Sequence, residues 1–248
     1  MFFLKLDTLV CVALNCFLFI IFSFFYALEL SYYELIIMGL CAIGIGMAKT
    51  GLGGLGMVVV PVLANIFGAK SSTGILLLLL IMADIFGVRY YHMHSDIKQL
   101  FKLIPSTIIG IITGVFIGDQ ISDEYFQILL GMVIISGALM TIIKVDIKEN
   151  KIFSIIVGFL GGFITMIGNA AGPIMSIYFL SMGFNKNKFI GTVAWFFLFV
   201  NLFKVPFHIF IWNTVDLQIL LFDLSLFPLI LIGALMGVWV VKKIPERP

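Results

Sequence analysis

Ten apolar runs follow one another along the chain, at 8–28, 35–49, 52–67, 72–91, 103–118, 124–143, 152–167, 170–184, 187–211 and 217–241, with little polar sequence between them. A run of about 20 apolar residues is long enough to cross a bilayer as a helix. Only 11% of the residues are charged and 62% are hydrophobic, with a mean hydropathy of +1.19. A soluble domain is about a quarter charged, so this chain lacks the means to cover a water-facing surface. One all-α polytopic membrane domain over residues 1–248 is therefore expected. No extramembrane domain fits, and a net charge of +2 without a basic cluster gives no nucleic-acid partner. Cys11, Cys16 and Cys41 lie inside apolar runs, which predicts no disulfide framework. The run after Lys5 and Asp7 lacks a small-residue cleavage site and reads as a retained helix.

Four runs, 35–49, 52–67, 152–167 and 170–184, are shorter than a comfortable span. They form two pairs, joined by Lys49-Thr50-Gly51-Leu52-Gly53-Gly54-Leu55-Gly56 and by Gly168-Asn169-Ala170-Ala171-Gly172-Pro173 rather than by polar loops. Each pair reads as a helical hairpin with its tip inside the membrane, where irregular backbone is tolerated only if buried in protein or lining a cavity. If each hairpin returns to the side it came from, twelve of the 15 Lys and Arg residues fall on one side and Lys70 alone on the other, with Lys49 and Lys204 left in the membrane. The positive-inside rule then places both termini in the cytoplasm of a cell-membrane protein.

The halves resemble each other. After an N-terminal helix (1–34), repeat one (35–119) runs hairpin, helix, helix; a connecting helix (120–150) leads to repeat two (151–248) in the same order. Gly74 aligns with Gly191, Asp84 with Asn201, and Gly114 and Gly118 with Gly233 and Gly237. Opposite starting sides make this an inverted repeat, an arrangement of secondary transporters whose site lies where the halves meet.

Glycines at a tip let a ligand approach backbone N–H groups, and the arm leaving the tip begins a helix whose N-terminus attracts anions. Lys49, Thr50, Gly51, Gly53, Gly54, Gly56, Asn169, Ala170, Ala171 and Gly172 are the candidate substrate-binding residues at the tips. Close helix packing is the competing explanation, and it is preferred for Gly44, Gly46, Gly161 and Gly162. Asn201, Lys204 and His208 share a helix face and complete the candidate site. A lysine at bilayer depth costs about 2.5–3.5 kcal/mol and needs an anionic substrate or an internal acid. Asp84 is that acid, for coupling or as an ion-pair partner of Lys204 or Lys49. His92 and His94 are two ligands without a third, so no metal and no cofactor is expected. Trp212 and Trp239 read as interfacial belt residues.

Gly51-Leu52-Gly53-Gly54-Leu55-Gly56-Met57-Val58-Val59-Val60-Pro61 resembles the first glycine-rich signature of the TauE/SafE (sulfite exporter) family, and Gly168 to Pro173 resembles its second. Gly191-Thr192 followed by Asn201-x-x-Lys204 is similar to the family's next helix. The resemblance covers about 35–241 and departs at Ala170 and Ala171, where glycine is frequent. It implies a transporter, not an enzyme, for a small sulfur-containing anion such as sulfite or sulfoacetate. Apart from the resemblance, a proton or sodium is the candidate coupling ion, with Asp84, His208 and Asp223 as candidate proton carriers. Serine and aspartyl intramembrane protease motifs are absent around Ser136-Gly137 and Gly118-Asp119. An anion channel and a non-transporting assembly subunit are the remaining alternatives.

Overall fold

A computed structural model describes residues 30–51, 54–142 and 150–243; the helix expected at 8–28, Gly53 and the basic residues between 143 and 149 lie outside this set. The described residues form ten α-helices and no strand: α1 (Tyr32–Thr50), α2 (Leu55–Phe67), α3 (Ala69–Tyr91), α4 (Ile97–Gln120), α5 (Asp123–Ile142), α6 (Lys151–Gly168), α7 (Gly172–Ser181), α8 (Lys186–Phe210), α9 (Leu217–Ser225) and α10 (Phe227–Lys243). Among them α1, α3, α4, α5, α6 and α8 are long and apolar enough to cross a membrane, and α9 with α10 makes a seventh span bent by 48°. The run at 217–241 is thus broken rather than continuous. Pro228 lacks the N–H that would reach Leu224 O, and the Leu226 N–H turns back to Asp223 O instead.

Both first arms of the hairpins are longer than their apolar runs suggest. The α1 helix begins in the polar sequence Ser31-Tyr32-Tyr33-Glu34, where a capping box forms: Glu34 N donates to Ser31 Oγ and Ser31 N donates to Glu34 Oε2. Asn150 caps α6 in a similar way by accepting from Phe153 N. The tips lie near opposite ends of α3. Thr50 O accepts from Tyr91 Oη in the last turn of α3, whereas Asn169 Nδ2 donates to Thr73 O in its early turns.

The central helices α3 and α8 pack antiparallel, and each first arm runs parallel to the last helix of the other half: α1 beside α10, α6 beside α4. Glycine permits this closeness. A methyl group on Gly46 would collide with Ile230 O and one on Gly233 with Ile43 O; across the other seam, Gly110 would meet Phe159 O and Gly162 would meet Thr107 O. The packing reading of Gly46 and Gly162 therefore holds. The equivalent contacts fall on Gly110 and Gly233, one turn from the alignment of Gly114 with Gly233, and Gly118 faces the Trp212 ring instead. Gly74 and Gly191 do occupy matching places, against Thr214 O and Tyr91 O at opposite ends of the central pair.

One end of the bundle gathers Arg89, Lys98, Lys102, Lys151, Lys186, Lys188, Lys242 and Lys243 at helix ends; the other gathers Glu34, Asp119, Asp123, Glu124 and Asp216, with Lys70 beside Asp119 at 3.8 Å. At the basic end Lys188 Nζ lies 2.9 Å from Asp96 Oδ2, and this ammonium holds the Asp96 carboxyl below its ordinary range. Trp212 is not a belt residue: it is 5% exposed, donates from Nε1 to Val115 O at 3.2 Å, and meets Phe126 edge to face. Trp239 stays exposed under Lys243.

Candidate functional site

A cavity of about 720 Å³ lies between the two hairpin tips, and its wall includes Lys49, Gly54, Gly56, Asn169, Gly172 and Asn201. The turn at the first tip is held from outside the cavity. Thr50 Oγ1 donates to Gly46 O and lies 2.9 Å from Ala234 O, which fastens the end of α1 to α10. The second tip turns at Asn169, in the left-handed region at φ 53°, a conformation asparagine accepts more readily than most residues. Its N–H closes α6 on Thr165 O, its amide nitrogen donates to Thr73 O, and its amide oxygen faces Lys204.

Beyond each tip a short helix starts without a side-chain cap. Gly54 and Ala171 are the N-cap residues of α2 and α7, and neither offers an acceptor, whereas α1, α6, α8 and α9 are capped by Ser31, Asn150, Asn185 and Asp216. The opening N–H groups of a helix have no intrahelical partner and carry its positive half-charge. Two such N-termini thus border one cavity, an arrangement suited to an anion. A Cβ on Gly54 or on Gly172 would meet nothing within 4 Å, so both glycines border open space.

The cavity wall carries one ionisable side chain among the described residues, Lys49. It belongs to the last turn of α1, is 13% exposed, and places Nζ 2.8 Å from Asp84 Oδ1 and 4.2 Å from the centre of the Phe197 ring. Asp84 is fully buried behind it, and its second oxygen accepts from Asn201 Nδ2 at 2.7 Å. The two residues aligned across the halves are therefore joined by a hydrogen bond. Asn201 Oδ1 is left without a donor.

Of the two lysines open to Asp84 as partners, Lys49 makes the ion pair. Lys204, fully buried on α8, instead points at the end of α6, donating to Thr165 O at 2.9 Å, to Thr165 Oγ1 at 3.2 Å and to Asn169 Oδ1. A cation against the last carbonyls of a helix is favourably placed in its dipole. Lys204 and Ala171 are buried behind the wall rather than on it, and Thr50 belongs to the α1–α10 seam. His208 lies one turn further along α8, with Nδ1 2.8 Å from Thr214 Oγ1 and its ring against Trp212. It takes no part in the cavity wall. Gly51 and Ala170 line the cavity beside Gly54 and Gly172. Several wall residues were missed in the sequence, among them Thr141, Thr165, Ser176, Ser181 and Phe197. Thr165 was legible only as a hydroxyl in the turn before the second tip, and Phe197 gave no signal among 26 phenylalanines.

Comparison with curated proteins and comparison with solved structures each gave no match. The family model described as sulfite exporter TauE/SafE matches residues 37–248, nearly the whole chain, including both tips and every residue of the cavity wall described above. With its multiple membrane-length helices around an interior cavity, the chain belongs to the sulfite exporter TauE/SafE family of membrane transporters.

Proposed function

We propose that this chain is a secondary transporter that moves a small anion, a sulfur oxyanion or organosulfonate such as sulfite or sulfoacetate, across the cytoplasmic membrane. The observation that carries the reading is the cavity with a lysine and two uncapped helix N-termini on its wall. Sulfonate oxygens accept hydrogen bonds from backbone N–H groups and from an ammonium, and the glycines leave the backbone accessible. The candidate contacts are Lys49, Gly51, Gly53, Gly54, Gly56, Asn169, Ala170, Gly172 and Asn201. Thr50, Ala171, Lys204 and His208 support them from behind. Purified protein should gain melting temperature as sulfite or sulfoacetate is raised, because a ligand that binds only the folded state stabilises it. Gly54→Val and Gly172→Val add bulk on the cavity side, with a Cβ that meets nothing within 4 Å, so each should fold normally and lose most of that gain. An undiminished gain in both variants would place the ligand elsewhere.

The halves 35–119 and 151–248 are read as inverted repeats, on the support of the parallel pairing of each first arm with the other half's last helix. The basic end is read as cytoplasmic from its lysines and arginines. In a background without Cys11, Cys16 and Cys41, Ser122→Cys should react with an impermeant maleimide added outside intact cells, and Lys98→Cys should react only after lysis. The reverse pattern would invert the topology.

A further inference from the structure

The buried charges around the cavity do not cancel. Lys49 and Asp84 form one pair at 2.8 Å. Lys204 is fully buried and has only neutral acceptors, namely the Thr165 carbonyl, the Thr165 hydroxyl and the Asn169 amide oxygen. The Asn169 amide is oriented by its donation to Thr73 O, so its oxygen is committed to Lys204. The negative half-charge at the end of α6 offsets the ammonium without cancelling it. Two formal cations therefore stand against one formal anion.

The other polar groups nearby leave this count unchanged. Tyr91 Oη donates to Thr50 O beside Lys49, and His208, counted neutral, is bound to Thr214 one turn beyond Lys204. Neither α5 nor α6 carries an ionisable side chain in its described membrane part beyond its first turn, and α7 carries only Tyr178, which meets Ser154. Asp223 on α9 is fully buried with neither carboxyl oxygen hydrogen-bonded, a setting that disfavours the ionised form, and it is counted as the neutral acid. The α10 helix brings only Lys242 and Lys243, at the basic end.

We infer that the site is matched to one net negative charge, so that a monoanion is carried without a proton and a dianion is carried together with one. The inference rests on the functional reading above and assigns its charge stoichiometry. A net charge in a low-dielectric interior is costly. A monoanion beside Lys49 brings the sum to zero, whereas a dianion leaves one negative charge in excess. A proton given up by hydronium or a buffer acid in the aqueous phase, whose conjugate base stays in solution, then restores neutrality by adding to a ligand oxygen or to the Asp84 carboxylate.

Isethionate and sulfoacetate are a matched pair of probes, similar in size and carrying one and two negative charges near neutral pH. Isothermal titration calorimetry of the purified full-length protein, in two buffers of different ionisation enthalpy, counts protons taken up on binding. Isethionate should bind with none, and its affinity should be flat around neutral pH. Sulfoacetate should bind with one, and its affinity should fall about tenfold per unit rise in pH. Lys204→Gln removes one cation behind the wall, and isethionate should then take up one proton. Asp84→Asn adds one net positive charge, and sulfoacetate should then bind with none. Proton uptake with isethionate by the unaltered protein, or none with sulfoacetate, would overturn the stoichiometry while leaving the anion site standing. If neither probe binds, the functional reading falls and the stoichiometry falls with it.

Discussion

Lys49→Gln is expected to lower stability by about 3–5 kcal/mol, because it leaves the buried Asp84 carboxylate without its counter-charge. Asp84 keeps the Asn201 amide, but one neutral donor replaces little of what an ammonium at 2.8 Å supplies. Asp84→Asn should cost less, since Lys49 is 13% exposed and can turn toward water in the cavity. The double variant Lys49→Gln with Asp84→Asn should recover most of the stability lost in the single lysine variant. It should not recover transport, because Lys49 is the cation on the cavity wall. Melting curves and substrate flux on all four proteins make a double-mutant cycle. Full transport by the double variant would reduce Lys49 to a structural residue.

Gly162→Val and Gly46→Val should fail to accumulate as folded protein. A side chain at either position meets the backbone carbonyl of a neighbouring helix, Thr107 O in one case and Ile230 O in the other. Overpacking typically costs about 1–3 kcal/mol, and more where the obstacle is backbone and has no rotamer to change. Both helix pairs would have to separate, carrying the first arms of the hairpins with them. Gly44→Ala, whose added methyl would lie 3.7 Å from Val59 Cγ2, and Gly131→Ala, which meets nothing within 4 Å, are controls and should express as the unaltered protein does. Size-exclusion profiles in mild detergent, read alongside melting temperature, distinguish the two groups. Normal behaviour of the valine variants would mean that the seams are looser than their geometry indicates.

Some of this was readable from the residues because it depends on local chemistry. Long apolar runs close their backbone hydrogen bonds within themselves, so the helices at Ala69–Tyr91, Ile97–Gln120 and Lys186–Phe210 follow from hydropathy alone. Glycine-rich breaks at Gly51–Gly56 and Gly168–Gly172 mark the two tips, since a chain that turns tightly without polar loop residues has few other means of doing so. A lysine in an apolar run announces an interior polar site, because lipid offers it no partner, and both Lys49 and Lys204 do lie inside the bundle.

The choice among partners was not readable in that way. Asp84 was within reach of either lysine by sequence, and the pair it forms depends on where α1 ends relative to α3 and α8. The place of the tips is set by contacts with α3, where Tyr91 Oη meets Thr50 O near one end and Asn169 Nδ2 meets Thr73 O near the other. Trp212 looked interfacial because it ends an apolar run, yet Gly118 leaves the space into which its ring folds. By itself the sequence determined which segments are apolar enough for a membrane, where the two glycine-rich tips fall, and which charges need partners inside, since each of these is set by how a residue and its near neighbours interact with lipid or water; the break between α9 and α10 was not among them. Only the tertiary structure decided that Lys49 faces the cavity with Asp84 behind it while Lys204 braces the end of α6, because ion pairs and helix seams are settled by distances between helices far apart in the chain, which hydropathy and spacing do not encode.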